Sequence, residues 1–172
     1  TTVVVVASAG VGLSRVNQNY STRTTKSKLM YTVGTYNETG GTFTWTDWSN
    51  GDMTDKVTNA ISSSSGVFNT EDGKQFAVHS GKGVVSGSTL YLAVTVSDQG
   101  KNGSAKEEMG NIMFTGDYSS NSVTWTEVSS SAVKFSDVSS GFSKHKESRV
   151  IEATGKTANT IQYIAVGNPY TS

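Results

Sequence analysis

The sequence predicts an all-β protein, and three observations carry the prediction. Valine outnumbers leucine by twenty to four among 172 residues, and Ser and Thr together number 49. β-Branched and aromatic residues suit a pleated, half-buried surface, whereas the good helix formers Leu, Ala, Glu, Gln and Lys are scarce. The apolar residues fall in short runs bounded by Gly, Ser and Asn clusters, and the runs recur about every 8 to 15 residues, as in a sandwich or barrel rather than alternating strand and helix units. At this length one domain over residues 1–172 is expected. The reading is an antiparallel β-sandwich of about ten to eleven short strands, with a β-barrel, a β-trefoil or a partial propeller as alternative closures.

The elements follow in order. Thr2 to Ser8 contains the uninterrupted run Val3 to Val6, of the kind that is buried on both faces or lies at an interface. Lys28 to Tyr36 is a mixed strand, and Gly41 to Trp48 alternates cleanly, Phe43, Trp45 and Asp47 against Thr42, Thr44, Thr46 and Trp48. Val57 to Ile61 is the one stretch where a helical turn competes. Lys74 to His79, Leu90 to Ser97, Asn111 to Tyr118, Val123 to Val128, Ala132 to Phe135, Arg149 to Ala153 and Thr160 to Val166 complete the set, each bounded by turn residues.

An internal duplication is legible. Leu29-Met30-Tyr31-Thr32-Val33-Gly34-Thr35-Tyr36 recurs as Ile112-Met113-Phe114-Thr115-Gly116-Asp117-Tyr118, and Thr44-Trp45-Thr46-Asp47 recurs as Thr124-Trp125-Thr126-Glu127. Ser65 to Phe68 and Leu92 to Val94 answer to Ser140 to Phe142 and Ile164 to Val166. The order is kept while the offset drifts, as loops of unequal length would produce. Chance similarity in a Ser- and Thr-rich chain is the competing explanation.

Composition excludes several functions. The formal net charge is zero, from 14 basic and 14 acidic side chains, so no long-range field holds a polyanion and nucleic-acid binding is not expected. No stretch approaches the roughly 20 apolar residues of a membrane-spanning helix. There is no Cys and there are two His, which argues against thiol chemistry and a His-rich metal site. No metal or other cofactor is expected. The sequence starts at Thr1, and it reads either as a cytosolic chain without its initiator Met or as a secreted chain after leader cleavage. The three N-x-[ST] sites, at Asn19, Asn37 and Asn102, match the number chance gives among eleven Asn and do not separate these readings.

Tyr36 to Asp55 is the most informative segment. Trp45 and Trp48 are three residues apart, and on a continuous strand they point to opposite faces, so Trp45 is expected in the core and Trp48 exposed. A Trp beside Asp47, Asn50 and Asp52, with Tyr36 and Asn37 nearby, has the make-up of a sugar site. The indole face stacks on the C–H face of a pyranose, while amide and carboxylate groups hydrogen-bond its hydroxyls. Asp117, Asn121 and Trp125, with Tyr118 and Glu127, would form a second, imperfect copy. Packing of each Trp into the core is the bland alternative. Asp47, Asn50, Asp52 and Asp55 could offer oxygens to calcium, but Gly51 comes one place early for the helix-loop-helix calcium pattern and no Glu closes the loop, so a polar turn at Asn50-Gly51 is favoured. No nucleophile motif and no matched acid–base pair is legible, and the reading leans away from an enzyme.

Met113 to Asp117 followed by Val123 to Thr126 resembles the aspartate box of sialidase-type propeller blades. Seven residues separate Asp117 from Trp125, where the box has about four, and a six-bladed propeller needs about twice this length. The resemblance implies no catalytic residue here.

The expected function is therefore lectin-like carbohydrate binding, with glycans as partners and several sites for avidity. The apolar Val3 to Val6 strand, poorly suited to a free edge, points to a homo-oligomer. The alternatives are a membrane-active, pore-forming β protein, in which amphipathic strands form a barrel and Lys144 to Arg149 meets lipid headgroups, and a surface or assembly protein with no small ligand.

Overall fold

A computed structural model of the chain describes residues 1–10, 27–64, 67–68, 75–78, 83–98, 108–134, 147–152 and 161–166. The described strands are β1 (Thr2–Ala9), β2 (Lys28–Asn37), β3 (Thr42–Trp45), β4 (Gln75–Ala77), β5 (Val84–Ser86), β6 (Thr89–Asp98), β7 (Glu108–Ser119), β8 (Ser122–Glu127), β9 (Val133–Lys134), β10 (Glu147–Glu152) and β11 (Ile161–Val166), and the described residues include one α-helix, α1 (Thr54–Ser63). The described part of the molecule is mostly β and its strand pairs are antiparallel. The strands divide into a three-stranded sheet in the order β1-β2-β3, a six-stranded sheet and the separate pair β10-β11. In the six-stranded sheet β6 and β7 form the centre. β4 and β5 lie end to end along the outer side of β6, and β8 and β9 along that of β7.

Three elements depart from the sequence reading. The ambiguous stretch Val57 to Ile61 is helical because Val57, Ala60 and Ile61, spaced three and four apart, are all buried on one face. β5 was not anticipated; three residues between Gly83 and Gly87 are too few to show a period. The strand expected to continue to Trp48 stops at Trp45, because the Asp47 carboxylate accepts the Ser49 N–H at 2.8 Å and starts a 3-10 turn over Trp48–Gly51. That turn packs tightly on β2, since a β-carbon at Gly51 would stand 1.8 Å from the Tyr31 carbonyl oxygen.

Leu29, Tyr31 and Val33 of β2 face the core, where they meet Ile112 and Phe114 of β7, Val123 and Trp125 of β8, and the buried face of α1. Polar bonds fix the contact between the sheets. The Tyr31 hydroxyl donates to the Val123 carbonyl at 3.0 Å and accepts the Val123 N–H at 3.2 Å, with the Ser122 hydroxyl 3.1 Å away. At the other end of β2, the Phe76 N–H donates to the Ser27 hydroxyl. The start of β2 thus lies at the β4 edge of the six-stranded sheet and its middle at the β8 edge.

The two hairpins that carry the apparent duplication share a register. Gly34 pairs with Trp45 and Tyr36 with Phe43 in β2-β3; Gly116 pairs with Trp125 and Tyr118 with Val123 in β7-β8. The first is closed by residues 38–41 and the second by Ser120-Asn121 alone, both at positive φ, and this difference accounts for two of the three residues by which the offset drifts across the hairpins. β2 also has one residue more than β7 in the core-facing stretch, three steps from Tyr31 to Gly34 against two from Phe114 to Gly116. One residue inverts the faces of a strand. Gly116 and Trp125 therefore share the core face with Phe114, whereas Gly34 and Trp45 lie opposite Tyr31, on the outer face. The other segments of the apparent repeat fall partly outside the described residues.

Candidate functional site

The inverted face corrects the expectation for Trp45. It is 48% exposed rather than buried, and Trp125, assigned on sequence to a second sugar site, is 3% exposed. Trp125 and Tyr31 form a T-shaped pair with ring centroids 6.1 Å apart, and the burial of the indole closes it to a ligand.

The outer face of the three-stranded sheet carries a row of aromatic rings. Alternation along β3 puts Phe43 and Trp45 on one side, and the register sets Tyr36 and Gly34 beside them. Phe43 and Trp45 stack at 5.3 Å with their planes 21° apart, and Tyr36 leans on Phe43 at 5.0 Å. The bare Cα of Gly34 lets the indole lie close over β2: a β-carbon there would stand 2.5 Å from Cζ3 of Trp45. Val3 and Val5 of β1, opposite Gly34 and Thr32, extend the face, and Val5 and Phe43 are also exposed.

Polar groups lie at both ends of this row. At the hairpin end, Asn37 accepts the N–H groups of Thr39 and Gly40 through Oδ1, which holds the loop in an Asx turn beside Tyr36. At the other end stands the 3-10 turn with Asp47, Trp48 and Asn50, followed by Asp52, which bridges to Met30 of β2. Trp48 is 42% exposed, on the turn and not on a strand. Six residue steps along β2 lead from Met30 to Tyr36, about 20 Å of extended chain. The structure therefore divides the first predicted set. Tyr36 and Asn37 lie at one end, Asp47, Trp48, Asn50 and Asp52 at the other, and Phe43 and Trp45, which sequence reasoning did not select, bridge the gap.

Both carboxylates are held below the ordinary aspartate range. Asp47 is lowered chiefly by the Ser49 N–H and Asp52 by the hydroxyl and N–H of Thr54. Both are anionic at neutral pH and use one oxygen locally, Asp47 to start the 3-10 turn and Asp52 to accept the Thr54 N–H at the start of α1. Among the described residues no group of three or more His, Asp or Glu could hold a metal ion.

The second predicted set does not assemble. Asp117 and Tyr118 are adjacent in β7 and point to opposite faces. Asn121 accepts hydrogen bonds from the hydroxyls of Tyr118 and Thr35, so it ties the β7-β8 turn to β2 at a rim above the buried Trp125. Glu127 is bonded by the Ser63 hydroxyl of α1. Of the cluster Lys144 to Arg149 assigned to lipid headgroups, residues 144–146 lie outside the described residues, and Glu147 to Arg149 begin β10. No helix among the described residues is long and apolar enough to cross a membrane. In comparisons with known proteins, no family model matches this chain and no curated protein matches it.

Proposed function

We propose that this protein binds carbohydrate in a lectin-like manner, along the outer face of β2 and β3, and that it recognises a linear stretch of several sugar units. The observation that carries the reading is the stack of Phe43 on Trp45, 43% and 48% exposed. Large rings left in water forgo hydrophobic stabilisation, at about 25 cal/mol per Å², and a flat exposed platform is the surface that suits the C–H faces of pyranose rings. Trp48 and Tyr36 lengthen the platform, while Asn37, Asp47 and Asn50 stand where hydroxyl groups would need partners. A row about 20 Å long favours an extended chain over a single sugar. In this reading the three- and six-stranded sheets are the two layers of a sandwich, as a lectin-like scaffold requires. Each contact is shallow and binding per site is weak.

A broad glycan array with the full chain tests the proposal, with vesicle dye release in parallel. Binding to a class of linear glycans without dye release supports it. Dye release with no glycan bound transfers the aromatic face to a lipid surface, where Trp and Tyr also concentrate, and ends the carbohydrate reading.

A further inference from the structure

We propose that two copies of this chain pair through the edge of β1 that is free among the described residues, antiparallel and about a two-fold axis at Val4, making one six-stranded sheet from two three-stranded ones. The inference rests on the edge itself and holds or fails apart from the carbohydrate reading.

β1 pairs only with β2 among the described residues. The Tyr36 N–H donates to the Thr1 carbonyl, which sets the alternation: Thr1, Val3, Val5 and Ala7 bond toward β2, and the N–H and C=O groups of Thr2, Val4, Val6 and Ser8 point away from it. A protected edge carries Lys, Pro, a bulge or a covering element. The sequence Thr2-Val3-Val4-Val5-Val6-Ala7-Ser8-Ala9 carries no charge and no proline, and it pairs residue for residue with β2 without a bulge.

The occupant that fits is a second β1. In antiparallel register about Val4, Thr2 meets Val6 of the partner subunit and Val4 meets its own counterpart, so every facing residue is uncharged and no like charges oppose. The zero net charge of the chain adds no repulsion between copies. The Ser8 hydroxyl accepts the Val78 N–H at 2.9 Å, so the far end of the edge lies beside the residue after β4, and the register centred on Val4 keeps the new ladder on Thr2 to Val6. A two-fold axis perpendicular to the sheet is isologous and closes at two copies. It also sets both outer faces, each with its Val3, Val5, Phe43 and Trp45, on the same side of the joined sheet.

Sedimentation equilibrium of the full chain tests this, with Val4→Pro and Val5→Lys alongside. Val4→Pro removes an N–H that β2 does not use, a substitution edge strands accept, while its ring blocks the partner strand. Val5→Lys keeps every backbone group and adds a charge on the exposed face. The native chain is expected at twice 18.2 kDa and both variants at the single mass, with native circular dichroism. If Val4→Pro loses its fold, Val5→Lys and concentration-dependent protection of the Val4 and Val6 amides in hydrogen exchange decide. A monomeric native chain at tens of micromolar, a dimer in a folded Val4→Pro, or exchange of those amides independent of concentration overturns the proposal.

Discussion

The six-membered ring of Trp45 lies over Gly34 of the neighbouring strand, and the buried Trp125 lies over Gly116 in the same way. The two pairs share a register and differ in surroundings, which makes them a controlled comparison. Gly116→Ala places a methyl group 2.7 Å from Cγ1 of Val123 and 2.8 Å from the buried indole, and neither neighbour can withdraw. It should destabilise by about 2 to 3 kcal/mol, as overpacked cores do. Gly34→Ala meets an indole with water on its outer side. The ring swings away, the cost stays under about 1 kcal/mol, and the platform is lost instead. Urea denaturation of both variants measures the difference.

The tryptophans themselves divide the same way. Trp125→Ala, which empties a buried site, should cost about 3 to 5 kcal/mol. Trp45→Ala and Trp48→Ala, each removing a side chain already near half exposed, should cost about 1 to 2 kcal/mol or less. Thermal unfolding of the three variants checks the order, and an equal loss for Trp45 and Trp125 would show that the two faces are not inverted.

Tyr31→Phe removes the hydroxyl that serves both backbone groups of Val123 across the sheets. Both are buried and would be left unpaired, which predicts a loss of about 1 to 3 kcal/mol with the ring packing preserved. A near-neutral result would mean that the hydroxyl adds little to the hold of β2 on β8 beyond the apolar contact with Trp125 and the Thr35–Asn121 bond.

The depressed carboxylates predict an acid limb. A group whose folded pKa lies below its unfolded value binds fewer protons when folded, so its stabilisation is present above the unfolded value of 3.8 and is lost as the pH falls through the lower folded value. Because both groups are well exposed, solvent screens the effect and it is small. Carboxyl titration followed by NMR should place Asp47 and Asp52 below 3.8, and Asp52→Asn should flatten the fall in stability over that range. Midpoints at or above 3.8 would contradict the assigned hydrogen bonds.

Much of the strand layout was legible because valine runs and turn clusters are local signals. The core face of β2 and the 3-10 turn were not. Phe43 and Trp45 alternate with threonines, which places them together on one face but does not say which face is wet. That depended on the extra residue between Tyr31 and Gly34, visible in the mismatch of the two repeats at Val33, and on whether β3 continued past Asp47. A side-chain cap ended β3 after Trp45, and the opposite-face argument for Trp45 and Trp48 ended with it. β5 left no periodic trace. The spacing of Val57, Ala60 and Ile61 did carry the helix, within an otherwise β-rich composition.

The most direct test of the carbohydrate reading is a calorimetric titration of the native chain and of Trp45→Ala with the best oligosaccharide from the array, after circular dichroism has shown that the variant is folded. Loss of at least about tenfold in affinity, roughly 1.4 kcal/mol, is the result expected if the sugar stacks on this platform. Unchanged affinity in a folded Trp45→Ala would contradict it.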